Sequence, residues 1–455
     1  MFTPFTRLLS ISTLTQLADE IVSAKIVLPW ILLSLSAPLW MLALIVPIKE
    51  SGALLPQWSV QKILAQRFST AGIWRSGMLL QGGALLAIVV VMCWLVTTSF
   101  AAYAVLLAVV VLSLGRALCS FTIKDIQAHN VAKGRRGKLI GAGGSAAGLV
   151  TIMVAVLLFQ WGQSGQWGAH SSIDSKEIPE QTVLGLLVIA GCTCYGLGLL
   201  LSINKIGDIR VSGGLTMPEA PLPARMSFDK KADNKANKNP AAESLWHYFS
   251  QEKDLRELII SRVLLMHGAL VLPFMVILIA ERYVGISSLA LVMLSAAIAS
   301  FVSSYIWGWF SDYSARATLA IASAGCVLSV MWFFTPWGLA NLYFAGAGFL
   351  LMNLCYSGIR TARKTYLIDM VIQAKRQRYV AAGNTIVGCV LLILGSVYAG
   401  LFSVELTSNA IANNITDKSI YDSGMKIWVI GWCGLMLCLG MLHTRRLRYD
   451  SQSDE

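Results

Sequence analysis

Gly115–Gly143 reads GRALCSFTIKDIQAHNVAKGRRGKLIGAG, and Gly358–Asn384 reads GIRTARKTYLIDMVIQAKRQRYVAAGN. The two stretches carry the same marks in the same order. Arg116 precedes Asp125 by nine residues, and Arg360 precedes Asp369 by nine. A basic cluster follows each aspartate, Arg135 and Arg136 in the first and Arg376 and Arg378 in the second. A glycine comes next, Gly141 or Gly383. A second pair of marks lies upstream, KIVLPW at Lys25–Trp30 and ALVLPF at Ala269–Phe274. Repetition in the same order in both halves of the chain points to an internal duplication.

The material of the repeat is apolar. Of 455 residues, 56% are hydrophobic and 13% charged, with a mean hydropathy of +0.65. Water-soluble domains carry about 25% charged residues, so the soluble classes are excluded. The apolar residues fall in runs of roughly 20, the length that crosses a bilayer as a helix. No alternating pattern is present to build a barrel, so the spans are helices. We expect an all-α membrane protein with twelve spans: 11–34, 37–56, 74–96, 100–121, 138–160, 181–203, 257–280, 287–308, 316–335, 338–360, 382–402 and 424–443. The Met1 end has one basic residue, Arg7, and no small-residue cleavage site, unlike a removable signal.

Lysine and arginine alternate across these spans. One side collects Arg7, the 62–75 group, the 124–138 group, nine residues between Lys205 and Arg256, Arg316, the 360–378 group and Arg445, Arg446 and Arg448. The other side holds only Lys176, Arg282, Lys418 and Lys426. By the positive-inside rule both termini are cytoplasmic, which requires an even number of crossings, and the net charge of +12 needs no nucleic-acid partner. Residues 204–256, rich in Pro, Ala, Asn and Lys, read as a cytoplasmic linker. The expected organisation is a six-helix half over 1–203, the linker, a second half over 257–443 and a tail over 444–455.

At this point the residues resemble a family. GWFSDYSAR, between the eighth and ninth spans, places Gly308, Asp312 and Arg316 at the spacing of the signature loop of the major facilitator superfamily. Gly115–Ser120, with Asp125 and Arg136 after it, is similar to that family's fourth-helix arginine and following loop. The resemblance implies twelve transmembrane helices in two pseudo-symmetric six-helix halves that rock around a central site. It implies a gate in which Asp312 with Arg316, and Asp369 with Arg376 and Arg378, break and remake ion pairs. Asp125 and Arg136 belong to the same set. The corresponding loop after the second span departs from the pattern: Pro56 stands where the family has its aspartate.

The candidate site is a set of charges inside spans. Lys49 and Glu50 interrupt ALIVPIKESGALLPQ (Ala43–Gln57), and Lys49 lies roughly 18 Å into its helix, near the midplane. Lys25 lies at similar depth in the first span. Such charges cost at least ~2.5 kcal/mol and are normally paired, cavity-facing and functional. Adjacent helical residues point about 100° apart, so Lys49 and Glu50 face different surroundings. Aligning Gly52 with Gly308 sets them opposite Tyr305 and Ile306, so the second half has no such charges. Each has a plainer reading, a buried interhelical ion pair. Asp19 is a proton-site candidate or a carboxylate at the helix mouth. Arg116 is a candidate substrate- or proton-linked arginine by the resemblance, and Arg360 by the repeat; the plainer reading makes each a partner of its downstream aspartate. Arg262 and His267 sit in the seventh span, where a histidine is either a titrating group or a packing residue.

The remaining features bound the chemistry. The nine cysteines lie in or beside apolar runs without metal spacing, as small hydrophobes. GAGGSAAG (Gly141–Gly148) follows no strand, so it reads as helix packing rather than a phosphate loop. No enzyme motif, cofactor or metal site is read. The expectation is a secondary transporter of the bacterial inner membrane, a monomer among lipids, taking a small-molecule substrate and coupled to protons. Lys25, Lys49, Arg116 and Arg262 outnumber Asp19, Glu20 and Glu50, which favours an organic anion. The alternatives are a proton-coupled exporter of amphipathic compounds and a non-transporting sensor or assembly factor on the same scaffold. Uptake or export is left open.

Overall fold

A computed structural model describes residues 4–56, 68–94, 98, 100–131, 136–167, 180–203, 253–283, 285–370, 373–409 and 415–447. Among them the regular structure is helical throughout. In chain order the α-helices are α1 (Pro4–Ile21), α2 (Val27–Ser34), α3 (Leu39–Leu54), α4 (Thr70–Trp94), α5 (Ala101–Asn130), α6 (Arg136–Trp167), α7 (Glu180–Ile203), α8 (Lys253–Leu265), α9 (His267–Arg282), α10 (Ile286–Tyr313), α11 (Ala315–Phe334), α12 (Leu342–Met370), α13 (Gln373–Asn409) and α14 (Ile415–His443). Ten segments are long and apolar enough to cross a membrane: α4 to α7, α8 with α9 as one, and α10 to α14. The linker 204–252 lies outside the described residues.

Two expected spans are broken. The span expected over 11–34 is α1 and α2, separated by Val22–Ile26. The span expected over 257–280 is α8 and α9, separated by Met266. Pro273 lies inside α9, which continues through it, so only the first break is owed to proline. Proline has no N–H, and its ring clashes with the carbonyl four residues earlier. Pro29 and Pro273 both follow the start of their break by seven residues, so the VLP repeat seen in the sequence accompanies a repeated helix interruption. The second expected span, 37–56, is also shorter than expected, 16 residues in α3, or about 24 Å.

These short helices form the interior. Every large apolar side chain exposed among the described residues lies at Phe68 or beyond, and none falls between 253 and 300. Thus α1 to α3, α8 and α9 are covered by protein. Leu79, Leu86, Leu107, Leu157, Leu186, Leu328 and Trp428, on surrounding helices, present an apolar outer surface suited to lipid.

The packing repeats along the chain. In the first part α1 packs on α6 and α7, α4 on α5 and α7, and α3 on α5. In the second, α8 packs on α13 and α14, α11 on α12 and α14, and α10 on α12. The two parts meet where α6 faces α10, where α3 faces α13, and where α9 touches α2 and α3. Small residues permit these approaches. A Cβ at Gly395 of α13 would lie 2.4 Å from Pro47 of α3, and one at Gly162 of α6 would lie 2.8 Å from the backbone of Ser287 in α10. Of the glycines in Gly141–Gly148, read as helix packing, Gly141 faces open space, whereas Gly143 and Gly144 lie against Ser12 and Gln16 of α1.

One end of the interior is sealed. Val27, Leu28, Ile31, Leu32, Met41, Leu42, Ile45, Val271, Leu272 and Met275 are fully buried there. We call it the far side, and the end carrying Pro4 and His443 the near side. Nearer the breaks, Asp19 and Arg116 keep 29% and 40% side-chain exposure.

Candidate functional site

Asp19 and Glu20 end α1, one turn before its break. Being adjacent on a helix they point apart, and each finds a separate environment. Asp19 Oδ1 accepts from Arg116 Nη1 of α5 at 2.5 Å and from Tyr195 Oη of α7 at 3.3 Å, with Lys49 Nζ of α3 at 3.7 Å. Four helices therefore converge on one carboxylate. Lys49 is buried, at 7% side-chain exposure, while Arg116 and Asp19 are 40% and 29% exposed to the cavity. Lys49 is thus half of an interhelical ion pair. Arg116 pairs with Asp19. Its expected alternative partner, the Asp125 side chain, lies outside the described residues.

Glu20 points across the interface between the two parts. It accepts from Thr151 Oγ1 of α6 at 3.1 Å and Ser300 Oγ of α10 at 2.9 Å. The helices that meet there are thus joined through a third.

The second group of charges surrounds Tyr356 of α12. Lys25 Nζ, in the break of α1, sits 4.4 Å from the ring centroid, and Arg360 Cζ 5.6 Å from it. Both are within cation–π range. Arg363, one turn on, and Arg262 of α8 complete the group, since their charges act on the same phenol. Arg262 Nη1 donates to Asn384 Oδ1 of α13 at 2.7 Å, but its buried Nε has no partner. Tyr356 reaches this place because α9 has a glycine beside its break: a Cβ at Gly268 would lie 2.7 Å from the ring. Glu50 is exposed to the cavity between the two groups, and Lys25, Arg116, Arg360 and Lys49 all act on it. Lys49 and Glu50 do face different surroundings, as their helical angle requires.

The other expected residues fall elsewhere. His267 is buried; its Nδ1 contacts the Leu264 carbonyl at 3.0 Å, and its ring meets Tyr398 edge-on. Its Nε2 is buried without a hydrogen-bond partner among the described residues. Gly308 is the alignment partner of Gly52, yet it faces open space, whereas a Cβ at Gly52 would lie 2.1 Å from Ser113 Oγ. The signature loop is a one-residue turn, in which Ser314 ends α10 and caps α11 by accepting from Ala317 N. Arg316 ties that turn to the end of α14, donating to the Thr444 carbonyl at 3.2 Å and the Arg445 carbonyl at 2.9 Å. The gate side chains Asp312, Arg136, Asp369, Arg376 and Arg378 lie outside the described residues.

Tyr195, Thr151, Ser300, Asn384, Tyr356 and Arg363 were not expected. Only α12 carried a usable signal: Tyr356, Arg360 and Arg363 are spaced i, i+4, i+7, which is one helix face. Arg363 had been counted with the loop cations.

No family model and no curated protein matches this sequence. The fold does have solved counterparts. A D-xylose–proton symporter superposes with a TM-score of 0.65 at 12% identity, covering 99% of this chain and 97% of that one. The chain shares the fold of that transporter. A nucleoside transporter matches over 97% of this chain and 100% of its own, at TM-score 0.63 and 12% identity. A bacterial homologue of the iron transporter ferroportin, in an inward-facing state, matches at TM-score 0.59 and 15% identity, over 96% and 98%.

Proposed function

We propose that the chain is a secondary transporter that moves a small organic anion by alternating access, coupled to protons, and that it is not an enzyme. The observation that carries this is Asp19: a partly exposed carboxylate in the protein interior, held by Arg116 and Lys49. A proton on Asp19 would free both cations for a substrate anion. Substrate and proton would thus meet at one pair of side chains, the linkage that symport needs. In this reading the chain crosses a bacterial inner membrane twelve times, in halves 1–203 and 257–443 joined by the cytoplasmic linker 204–256. The near side and the tail 444–455 are cytoplasmic, and the protein acts as a monomer. The repeated packing of α1 to α7 and α8 to α14 supports the two halves. The fold shared with a proton symporter supports the mechanism class.

The test is uptake into proteoliposomes of anionic, neutral and cationic compounds, with and without an imposed pH gradient. An anion that accumulates only with the gradient, and not in Asp19→Asn, supports the proposal. A carrier that moves amphipathic cations, or moves nothing and melts at the same temperature with every compound, rejects it in favour of an exporter or a sensor.

A further inference from the structure

The two charge groups are not balanced alike. Lys49 and Arg116 share Asp19, and Lys426, also buried, pairs with Glu281. Lys25, Arg262, Arg360 and Arg363 have no carboxylate within 4 Å among the described residues. Four cations around one phenol face a single carboxylate, Glu50, which they share with the first group. Like charges gathered inside a protein raise its energy unless something compensates them. The buried, unpartnered Nε of Arg262 marks the same lack.

We infer that the ligand of this cavity is a small organic polyanion, carrying two or more negative charges, seated on Lys25, Arg262, Arg360 and Arg363 beside Tyr356. A single charge would leave most of the excess in place. Three of the four cations are arginines, whose planar forks fit carboxylate and phosphate groups two bonds at a time. The donors come from three separate elements, the α1–α2 break, α8 and α12, so one ligand with several anionic groups can touch all of them. The shared chemistry covers di- and tricarboxylates and phosphate monoesters. This inference rests on the transport reading only for its biological use; as a binding site it stands apart.

The experiment is thermal melting of the purified full chain in detergent at constant ionic strength. Acetate and lactate, succinate and citrate, and glycerol phosphate would be compared on wild type, Lys25→Met and Arg363→Gln. The expected stabilisation rises with ligand charge, and the carboxylate and phosphate arms show which source is preferred. Each variant removes an uncompensated cation. Its ligand-free melting temperature therefore stays level or rises, while its half-saturating concentration rises at least about tenfold, as loss of one charge-assisted contact implies. Equal responses to mono- and polyvalent anions would overturn the inference. So would a response undiminished in both variants, which would put the anion at Arg116 and Lys49. If no polyanion binds but proteoliposomes still accumulate another solute, this inference falls and the transporter stands. If polyanions bind and nothing is moved, the reverse holds.

Discussion

At the scale of single residues, Asp19 is the group on which the most depends. It is the direct counter-charge of two interior cations and an acceptor for Tyr195. Asp19→Asn keeps the shape and removes the charge, leaving Lys49 and Arg116 facing each other. Breaking a buried pair costs about 3–5 kcal/mol, but solvent reaches Arg116, so about 2 kcal/mol is expected, seen as a lower melting temperature. Lys49→Met in the same background should recover part of that loss, because it removes the stranded cation. If the single variant melts like wild type, the pair is not holding the helices together. The charged half of this site was legible in the sequence, since Lys25, Lys49, Glu50 and Arg116 stand out against apolar neighbours. The uncharged half was not. Thr151, Ser300 and Tyr195 resemble the many hydroxyls that simply bond back to their own helix, as Thr13 does to Leu9.

At the scale of elements, the breaks in α1–α2 and α8–α9 do the positioning. Lys25 sits in the first, and the second opens the slot that Tyr356 fills. Gly268→Ala would set a methyl 2.7 Å from the Tyr356 ring and push it off its place over α9. Overpacking of this kind costs about 1–3 kcal/mol. It should weaken the anion response through Tyr356 without touching any charge, while leaving Asp19 and Arg116 alone. The readout is the half-saturating anion concentration from melting curves; an unchanged value would mean that the ring has no positioning role. Hydropathy located most helices, because lipid exposure imposes long apolar runs on α4 to α7 and α10 to α14. It merged α1 with α2 and α8 with α9 into single spans, because a break of one to five residues leaves the apolar run intact. At the first break the signal was the proline, which was used as a mark of repetition and not as a helix breaker.

At the scale of the whole molecule, the fully buried side chains of the far side mark, in the alternating-access reading, the closed end of one state. Its opening needs α6 and α10 to part at their far ends. A Cβ at Gly162 would lie 3.2 Å from that of Ser287 and 2.8 Å from its backbone nitrogen, so the two helices must ease apart slightly to reach the roughly 3.5–4.5 Å of a disulfide. Gly162→Cys with Ser287→Cys, in a background without the nine native cysteines, should stop uptake on oxidation and regain it on reduction. Uptake indifferent to the oxidant, with the cross-link formed, would mean that this end does not open.

The imbalance around Tyr356 also bears on the rhythm of the cycle. Asp19, Glu20 and Glu50 match Lys25, Lys49 and Arg116 in number, whereas Arg262, Arg360 and Arg363 have no acidic match among the described site residues. Bringing the walls together around an empty cleft would squeeze out the water that screens those guanidinium groups. A seated polyanion does that screening itself. The vacant carrier is then slow to turn over and the occupied one quick, so it behaves as a swap device, releasing one passenger when another is at hand. Labelled anion trapped in vesicles should leave faster when unlabelled anion is supplied outside than when it is not; equal rates would show that vacancy does not hinder the return stroke.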